Sequence, residues 1–426
     1  MALLQGPLLF DGAMGTMLQQ KRSDLAFPEL FNLEAPEIVE EVHRAYLAAG
    51  ADVVETNTFG ANRYKLAQHG LAERTVEINE RAAELAKEAV RKAGGKQLVA
   101  GSLGPTGQLM APLGTASFED IYGVYREQAQ ALAAGGVDLL IVETMLDLGE
   151  ARAALLGALT TGLPVIAQMT FEQSGMTMMG TPAAVAACVL SSLGATVVGT
   201  NCGLGPRQML DIVRSMAEVA PRISAIPNAG LPKLVEGKDV YDLDPKTMAE
   251  FVPQLLAQGA GIVGGCCGTT PDHIQAMRQA LDAASYTPPT PRGIYGASSR
   301  KLVDLSGGVL AKAGTVDDWM EAEGAGFSLL VLTHPGDVTM AQMMCPLPMI
   351  FTDVPMEDLE KLLREYHGRA LVVPPMEPEQ QGFAEYLEVL GRYGALAVLS
   401  EYRELGVEVA VWQPLSEDTW RIEGVK

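Results

Sequence analysis

Gly261-Ile262-Val263-Gly264-Gly265-Cys266-Cys267-Gly268-Thr269-Thr270-Pro271-Asp272-His273 passes from an apolar run directly into a helix start. Ile262 and Val263 read as the end of a short buried strand, and two glycines let the backbone bend. Thr270-Pro271-Asp272 then opens a helix with a capping hydroxyl and a proline in the first turn. The same strand, turn and helix sequence recurs upstream. Apolar runs of strand length occur at residues 8–11, 53–59, 98–103, 139–144, 165–171, 196–202, 223–227 and 261–267. Amphipathic segments lie between them, at 36–49, 74–93, 118–134, 148–160, 206–219 and 244–258. Near-continuous apolar strands alternating with helices indicate a parallel sheet covered by helices. Eight such units in roughly 270 residues favour a closed (β/α)8 TIM barrel over an open doubly wound sheet. No G-x-G-x-x-G run follows the first strand, so a dinucleotide fold has no support.

The pattern stops after Asp282, and Tyr286-Thr287-Pro288-Pro289-Thr290-Pro291-Arg292-Gly293 reads as a linker. The expected organisation is a barrel over 1–285, a Pro-rich linker over 286–297 and a smaller α/β domain over 298–426. In the last of these, apolar runs at 328–332, 348–352, 370–373, 395–399 and 408–411 alternate with helical stretches at 316–323, 356–366 and 378–393. Its strands are expected to be parallel, and five are too few for a second full barrel.

The chain has 426 residues, with 52 acidic against 31 basic side chains and a net charge of −21. That balance opposes binding to nucleic acid or to anionic membrane surfaces. No window approaches the eighteen or so uninterrupted apolar residues of a membrane span, and the start lacks a basic segment followed by an apolar core. A cytoplasmic location is the expectation. Cys188, Cys202, Cys266, Cys267 and Cys345 are too few for a disulfide framework, so reduced thiols are expected. Cys188 reads as an apolar filler within a small-residue helix, and Cys345 has no evident partner.

In a barrel of this kind the active site gathers at the C-terminal ends of the strands. Cys266 and Cys267 end the eighth strand. Cys202, in Asn201-Cys202-Gly203, ends the sixth. Asp11, Glu55, Asn57, Thr58, Glu143, Thr144 and Asn228 fall at the same level. Three cysteinate sulfurs suit Zn2+, whereas iron–sulfur clusters usually take four cysteines. Three protein ligands leave a position open, and a sulfur-rich site selects a soft ligand there, such as a substrate thiol. Zinc would hold that thiol as thiolate near neutral pH, ready for in-line attack on an activated methyl group. The competing readings are a structural zinc staple and a vicinal disulfide at Cys266 and Cys267. His273, in the first turn of the last helix, is expected at the helix surface rather than on the metal.

Several segments together carry a resemblance: Asp11-Gly12-Ala13-Met14-Gly15-Thr16, the stretch HRAYLAAGADVVETNTFG over 43–60, Gly101-Ser102-Leu103-Gly104-Pro105, Ile141-Val142-Glu143-Thr144, Asn201-Cys202-Gly203 and Gly264 to Pro271. With them, residues 1 to about 285 resemble the homocysteine S-methyltransferase domain, found at the N-terminus of cobalamin-dependent methionine synthase. The resemblance implies a zinc-dependent barrel in which Cys202, Cys266 and Cys267 bind the metal and homocysteine sulfur takes the open position. It also implies that Asp11, Gly12, Ala13 and Glu143 hold the amino acid head group, with Asn228 close to the metal. The expected reaction is methyl transfer to homocysteine, giving methionine. The donor is left open between a partner corrinoid protein carrying methylcobalamin and a methylated small molecule: S-methylmethionine, betaine or 5-methyltetrahydrofolate. From about 297 onward the chain is similar to part of a pterin-binding folate barrel, at Pro348-Met349-Ile350-Phe351-Thr352-Asp353 and Tyr393-Gly394-Ala395. It carries neither a Gly-Glu-Arg-Thr-Asn type signature nor a D-x-H-x-x-G segment. The alternatives are a non-catalytic zinc or thiol-binding protein and a methyltransferase acting on another small thiol. Apolar helical stretches are compatible with a homodimer.

Overall fold

The computed structural model describes residues 4, 6–22, 27–235, 238–333, 338–403, 405 and 407–425. Eight strands form the first sheet: β1 Leu8–Leu9, β2 Val53–Glu55, β3 Leu98–Leu103, β4 Leu139–Met145, β5 Val165–Met169, β6 Val197–Asn201, β7 Ile223–Ile226 and β8 Ala260–Val263. Each pairs in parallel with the next, and β8 pairs with β1. A parallel bridge from Phe10 to Val53 joins β1 to β2 and closes the ring. Asp11 N donates to Val53 O at 3.0 Å and Asp52 N to Leu9 O at 2.8 Å across that seam. This is the (β/α)8 barrel that the alternating pattern predicts.

The strands are apolar throughout because both of their faces are covered. Phe10, Leu139, Ile141, Ile166, Val197 and Ile262 fill the interior, while the opposite faces pack on the surrounding helices. Helix starts carry the local chemistry that fixes where each turn ends. Ser117 and Asp120 form a reciprocal capping box, Asp147 caps the helix Leu148–Leu159, and Thr270 caps Pro271–Asp282. Two details depart from expectation. Strand β2 ends at Glu55, so Asn57 and Thr58 lie in the turn that follows it. His273 is buried, with Nδ1 at 2.9 Å from Thr270 Oγ1 and Nε2 at 2.8 Å from Leu243 O. It is a cap that pins a loop, where the helix-start reading expected a surface residue.

After Pro271–Asp282, residues 284–292 lack regular secondary structure, and Tyr295–Ala297 pairs with Leu302–Asp304 in a short antiparallel hairpin. The following strands are β9 Val309–Ala313, β10 Leu329–Thr333, β11 Met349–Thr352, β12 Leu371–Val372, β13 Leu396–Leu399, β14 Val409–Pro414 and β15 Thr419–Val425. The expectation of five parallel strands is corrected here. Strands β9 to β14 are parallel, and β15 runs antiparallel to both β14 and β9, closing a second, smaller barrel. Continuous apolar runs reveal doubly covered strands, but β15 alternates. Ile422 is fully buried between exposed Arg421 and Glu423, the pattern of a strand with one wet face. Ile294, Val303 and Leu305 from the hairpin region join Leu329, Ile350 and Leu396 in its interior.

The two barrels share one apolar interface. Helix Leu148–Leu159 is buried on nearly all sides, including Glu150 and Arg152. The Arg152 guanidinium donates to Leu363 O at 2.6 Å and Arg364 O at 3.0 Å, and so satisfies the last carbonyls of helix Met356–Glu365. Arg364 in turn reaches Glu119 at 2.6 Å. Gly394, at φ +63°, lies so close to the Ser192 carbonyl that a Cβ there would stand 2.2 Å from its oxygen. Among the described residues, no helix is long and apolar enough to cross a membrane.

Candidate metal centre

Strand β6 ends in Asn201, and Cys202 follows it in the left-handed region at φ +56°. The unusual backbone turns the side chain in toward the barrel axis, and it is held by Cys202 N donating to Ile226 O at 3.1 Å. Beyond β8, Cys266 N donates to Pro227 O at 2.8 Å and Ala229 N donates to Cys267 O at 2.9 Å. Two adjacent cysteines on a regular strand would face opposite ways; the turn through Gly264 and Gly265 breaks the pleat. Gly265 leaves no room for a Cβ, which would sit 2.5 Å from Thr269 Oγ1.

The three Sγ atoms lie within 4.8 Å of one another, and those of Cys202 and Cys267 are 3.8 Å apart. Tetrahedral zinc with bonds of about 2.3 Å sets its sulfurs about 3.8 Å apart, so this donor set fits such an ion. Hydrogen bonds from Cys202 and Cys266 hold the Cys267 thiol far below the usual range, and the same contacts push Cys266 up. Cys202 is raised as well: the bond with Cys266 lowers it, and the bond with Cys267 together with burial more than offsets this, so of the three only Cys267 is held toward thiolate.

The sulfurs open onto a cavity of about 240 Å³ at the barrel mouth, lined also by Gly12, Ala13, Glu55, Ser102, Glu143 and Thr144. Glu143 accepts from Ser102 Oγ at 2.5 Å and from Asn201 Nδ2 at 2.9 Å. Asn201 also binds Thr144, whose φ is +61°. Burial raises the Glu143 carboxyl above its ordinary value, partly offset by the Ser102 bond, and the Cys202 charge adds to the rise. Burial likewise raises Glu55, with Glu143 and then Asp11 adding repulsion. Asp11 is 3 % exposed, accepts from Glu55 N at 3.0 Å and does not line the cavity. Asn228 is also off the cavity wall, and its Oδ1 is buried without a hydrogen-bond partner.

The Gly12–Ala13 turn is tied to the cysteine loop by residues that the sequence reading passed over. Ala13 N donates to Thr269 Oγ1 at 3.2 Å, and Tyr46 Oη donates to Thr269 O at 3.2 Å and Ala13 O at 3.3 Å. Tyr46 lies within HRAYLAAGADVVETNTFG, where it read simply as part of a helical face. Ser102 and Asn201 were likewise visible only as members of motifs. The signal for each was a polar residue at or beside a strand's C-terminal end.

The comparisons agree with this geometry. Residues 8–281 match the model of the homocysteine S-methyltransferase family. The chain is 35% identical over 297 residues to a methionine synthase of Mycobacterium leprae, covering 66% of this chain and 24% of that protein. A methionine synthase of Mycobacterium tuberculosis is 36% identical over 299 residues, covering 66% and 25%. The chain therefore spans about a quarter of the length of these curated relatives. Among solved structures it is similar to the metallated form of the homocysteine methyltransferase MmuM from Escherichia coli. That match has 28% identity and a TM-score of 0.55, and covers 65% of this chain and 96% of that one. With a family-model match across nearly all of the first barrel, the chain belongs to the homocysteine S-methyltransferase family.

Proposed function

We propose that this chain transfers a methyl group to the thiol of homocysteine, giving methionine, with zinc bound by Cys202, Cys266 and Cys267. The observation that carries the reading is convergence: three sulfurs from two strand ends face the same small cavity as Glu143 and the Gly12–Ala13 turn. When bound, zinc supplies Lewis acidity that keeps a thiol ligand deprotonated near neutral pH. The chain's own residues do the rest. Glu143, oriented by Ser102 and Asn201, offers a carboxylate to the amino acid's ammonium, and Asp11, which accepts from the Glu55 backbone N–H, is the second acid at this end of the pocket. The Gly12–Ala13 backbone, braced by Thr269 and Tyr46, faces the carboxylate end. Asn228 has a buried carbonyl oxygen free for a further contact close to the metal.

The methyl donor is a methylated corrinoid protein or a methylated small molecule, and the free thiols suit the reducing cytoplasm. The test is methionine formation by the zinc-loaded chain from homocysteine, with S-methylmethionine, betaine, 5-methyltetrahydrofolate and methylcobalamin compared as donors. Methionine with any of them, lost on chelation and restored by zinc, supports the reading. Silence with all four from a chain that binds both zinc and homocysteine would leave a required corrinoid protein partner or the non-catalytic thiol-binding alternative.

A further inference from the structure

We infer that Tyr241 is a positioning residue for the metal centre: its phenol donates a hydrogen bond to the Cys267 sulfur and holds that ligand in place for the ion. The inference rests on the reading of Cys202, Cys266 and Cys267 as the zinc ligands, and it gives one of them an outer partner.

Tyr241 lies in the long connection between β7 and β8. It directly follows the segment Lys238–Val240, which pairs antiparallel with Lys233–Val235. Three residues on, Asp244 caps the helix Pro245–Ala249 through Thr247 N. Between these two anchors the backbone of Leu243 is bonded on both sides. Its N donates to Ala229 O at 3.0 Å, and its carbonyl oxygen is 2.8 Å from His273 Nε2. Ala229 N in turn donates to Cys267 O at 2.9 Å. The loop that carries Tyr241 and the loop that carries Cys267 are therefore bonded through one shared partner, and the buried His273 pins them from the helix that follows the cysteines.

The side chain is seated as closely. Gly268 follows Cys267 at φ +80°, and a Cβ there would stand 2.3 Å from Tyr241 Cβ and 2.5 Å from its Cγ. Tyr241 fills the room that this glycine leaves, and its side chain is hydrogen-bonded to Cys267. A metal-bound cysteinate has no hydrogen to give, so the phenol O–H is the donor once Cys267 is a ligand. Tyr241 is half-buried and does not line the cavity, so it acts from behind the ligand and touches no substrate.

Three cysteinates and a substrate thiolate bring four negative charges to one dication. A donor on a ligand sulfur disperses part of that charge and favours retention of the ligand. Tyr241 does this for Cys267, and the Gly203 backbone N–H does it for Cys202. Neither donor lines the cavity that a substrate thiol enters. Charge is thus drawn from the protein's own sulfurs and left on the incoming one.

The test uses the full chain without substrate. Zinc affinity is measured by competition with a chelator of known strength, and the Co2+-substituted protein is read for its sulfur-to-cobalt charge-transfer bands. Tyr241→Phe keeps the ring against Gly268 and removes the donor. It is expected to weaken zinc about 10- to 100-fold, the range for losing an outer partner. The charge-transfer bands are expected to move to lower energy, because a sulfur without its donor gives up an electron more readily. The urea midpoint of the metal-free protein should stay at the wild-type value. Bands that remain in place would overturn the inference. A zinc loss that comes with a lowered metal-free midpoint and unmoved bands would mark Tyr241 as structural only, which also overturns it. In either case a wild type that binds zinc leaves the proposed function standing. A wild type that takes up no zinc would overturn the metal centre itself, and the inference with it.

Discussion

The Sγ atoms of Cys202 and Cys267 stand 3.8 Å apart although 65 residues of chain separate them. Their spacing is set by strands β6 and β8 and by the turns that follow. Replacing Cys202 or Cys267 by serine removes a soft ligand and leaves a harder, neutral oxygen. The expected loss of zinc affinity exceeds the roughly 10- to 100-fold cost of losing an outer partner, and methionine formation should fall with it. Metal content after dialysis against a graded chelator series measures the first effect. Undiminished zinc and activity in Cys202→Ser would show that the ligand set is wrong.

Ser102 touches no metal ligand but holds Glu143 through a 2.5 Å hydrogen bond. Ser102→Ala should raise the KM for homocysteine about 10-fold, as expected for one charged hydrogen bond, with zinc content unchanged. Steady-state kinetics alongside metal analysis separates this outcome from simple misfolding, which would lower both.

Arg152 lies 2 % exposed between the barrels and donates to the carbonyls of Leu363 and Arg364. Arg152→Ala would strip these helix-end acceptors of their donor and open a void, costing about 2–4 kcal/mol. Arg152→Lys should recover only part, since an ammonium lacks the fork that reaches two carbonyls at once. Urea unfolding monitored by tryptophan fluorescence reads the change, because all three tryptophans, Trp319, Trp412 and Trp420, lie beyond the first barrel. An unchanged midpoint in Arg152→Ala would show that the contact contributes nothing to docking.

Glu29 is 3 % exposed, and burial raises its carboxyl to about 7 despite the 2.5 Å hydrogen bond from Gly60 N. The folded state therefore holds a proton that the unfolded chain releases near pH 4.5. Its contribution to stability is fully present below that value and is lost as pH rises through about 7, on the order of 3 kcal/mol in all. His43 has the opposite sign: burial lowers it to about 4, so its contribution is present above pH 6.5 and is lost as pH falls toward 4. Glu29→Gln should flatten the loss on the neutral side and leave the acid side steeper. Denaturant midpoints at half-unit steps from pH 4 to 8 would show this, and parallel wild-type and variant curves would contradict it.

The first barrel was legible because each of its strands is covered on both faces and is written as an apolar run. The three cysteines were legible because they end two of those runs. Glu55 was seen at the right level of the barrel, but the cavity wall that it shares with Glu143, 88 positions later, appears only in the fold. Asp11 and Glu55 are equally acidic in sequence; only the fold shows that one faces the cavity and the other a backbone amide. Strand β9 escaped because Lys312 and the glycines on either side dilute its apolar character, and β15 because its alternation spells a half-wet strand. Neither declares itself until the two are seen paired with each other.

That pairing makes the smaller barrel depend on an element synthesised after all the strands it joins. A chain cut short of residue 419 would leave the edges of β9 and β14 that this strand covers without their partner. Such a chain would offer two templates for strand addition by another molecule. With Thr419–Val425 in place both edges are paired, so this one antiparallel strand closes six parallel strands into a sealed barrel.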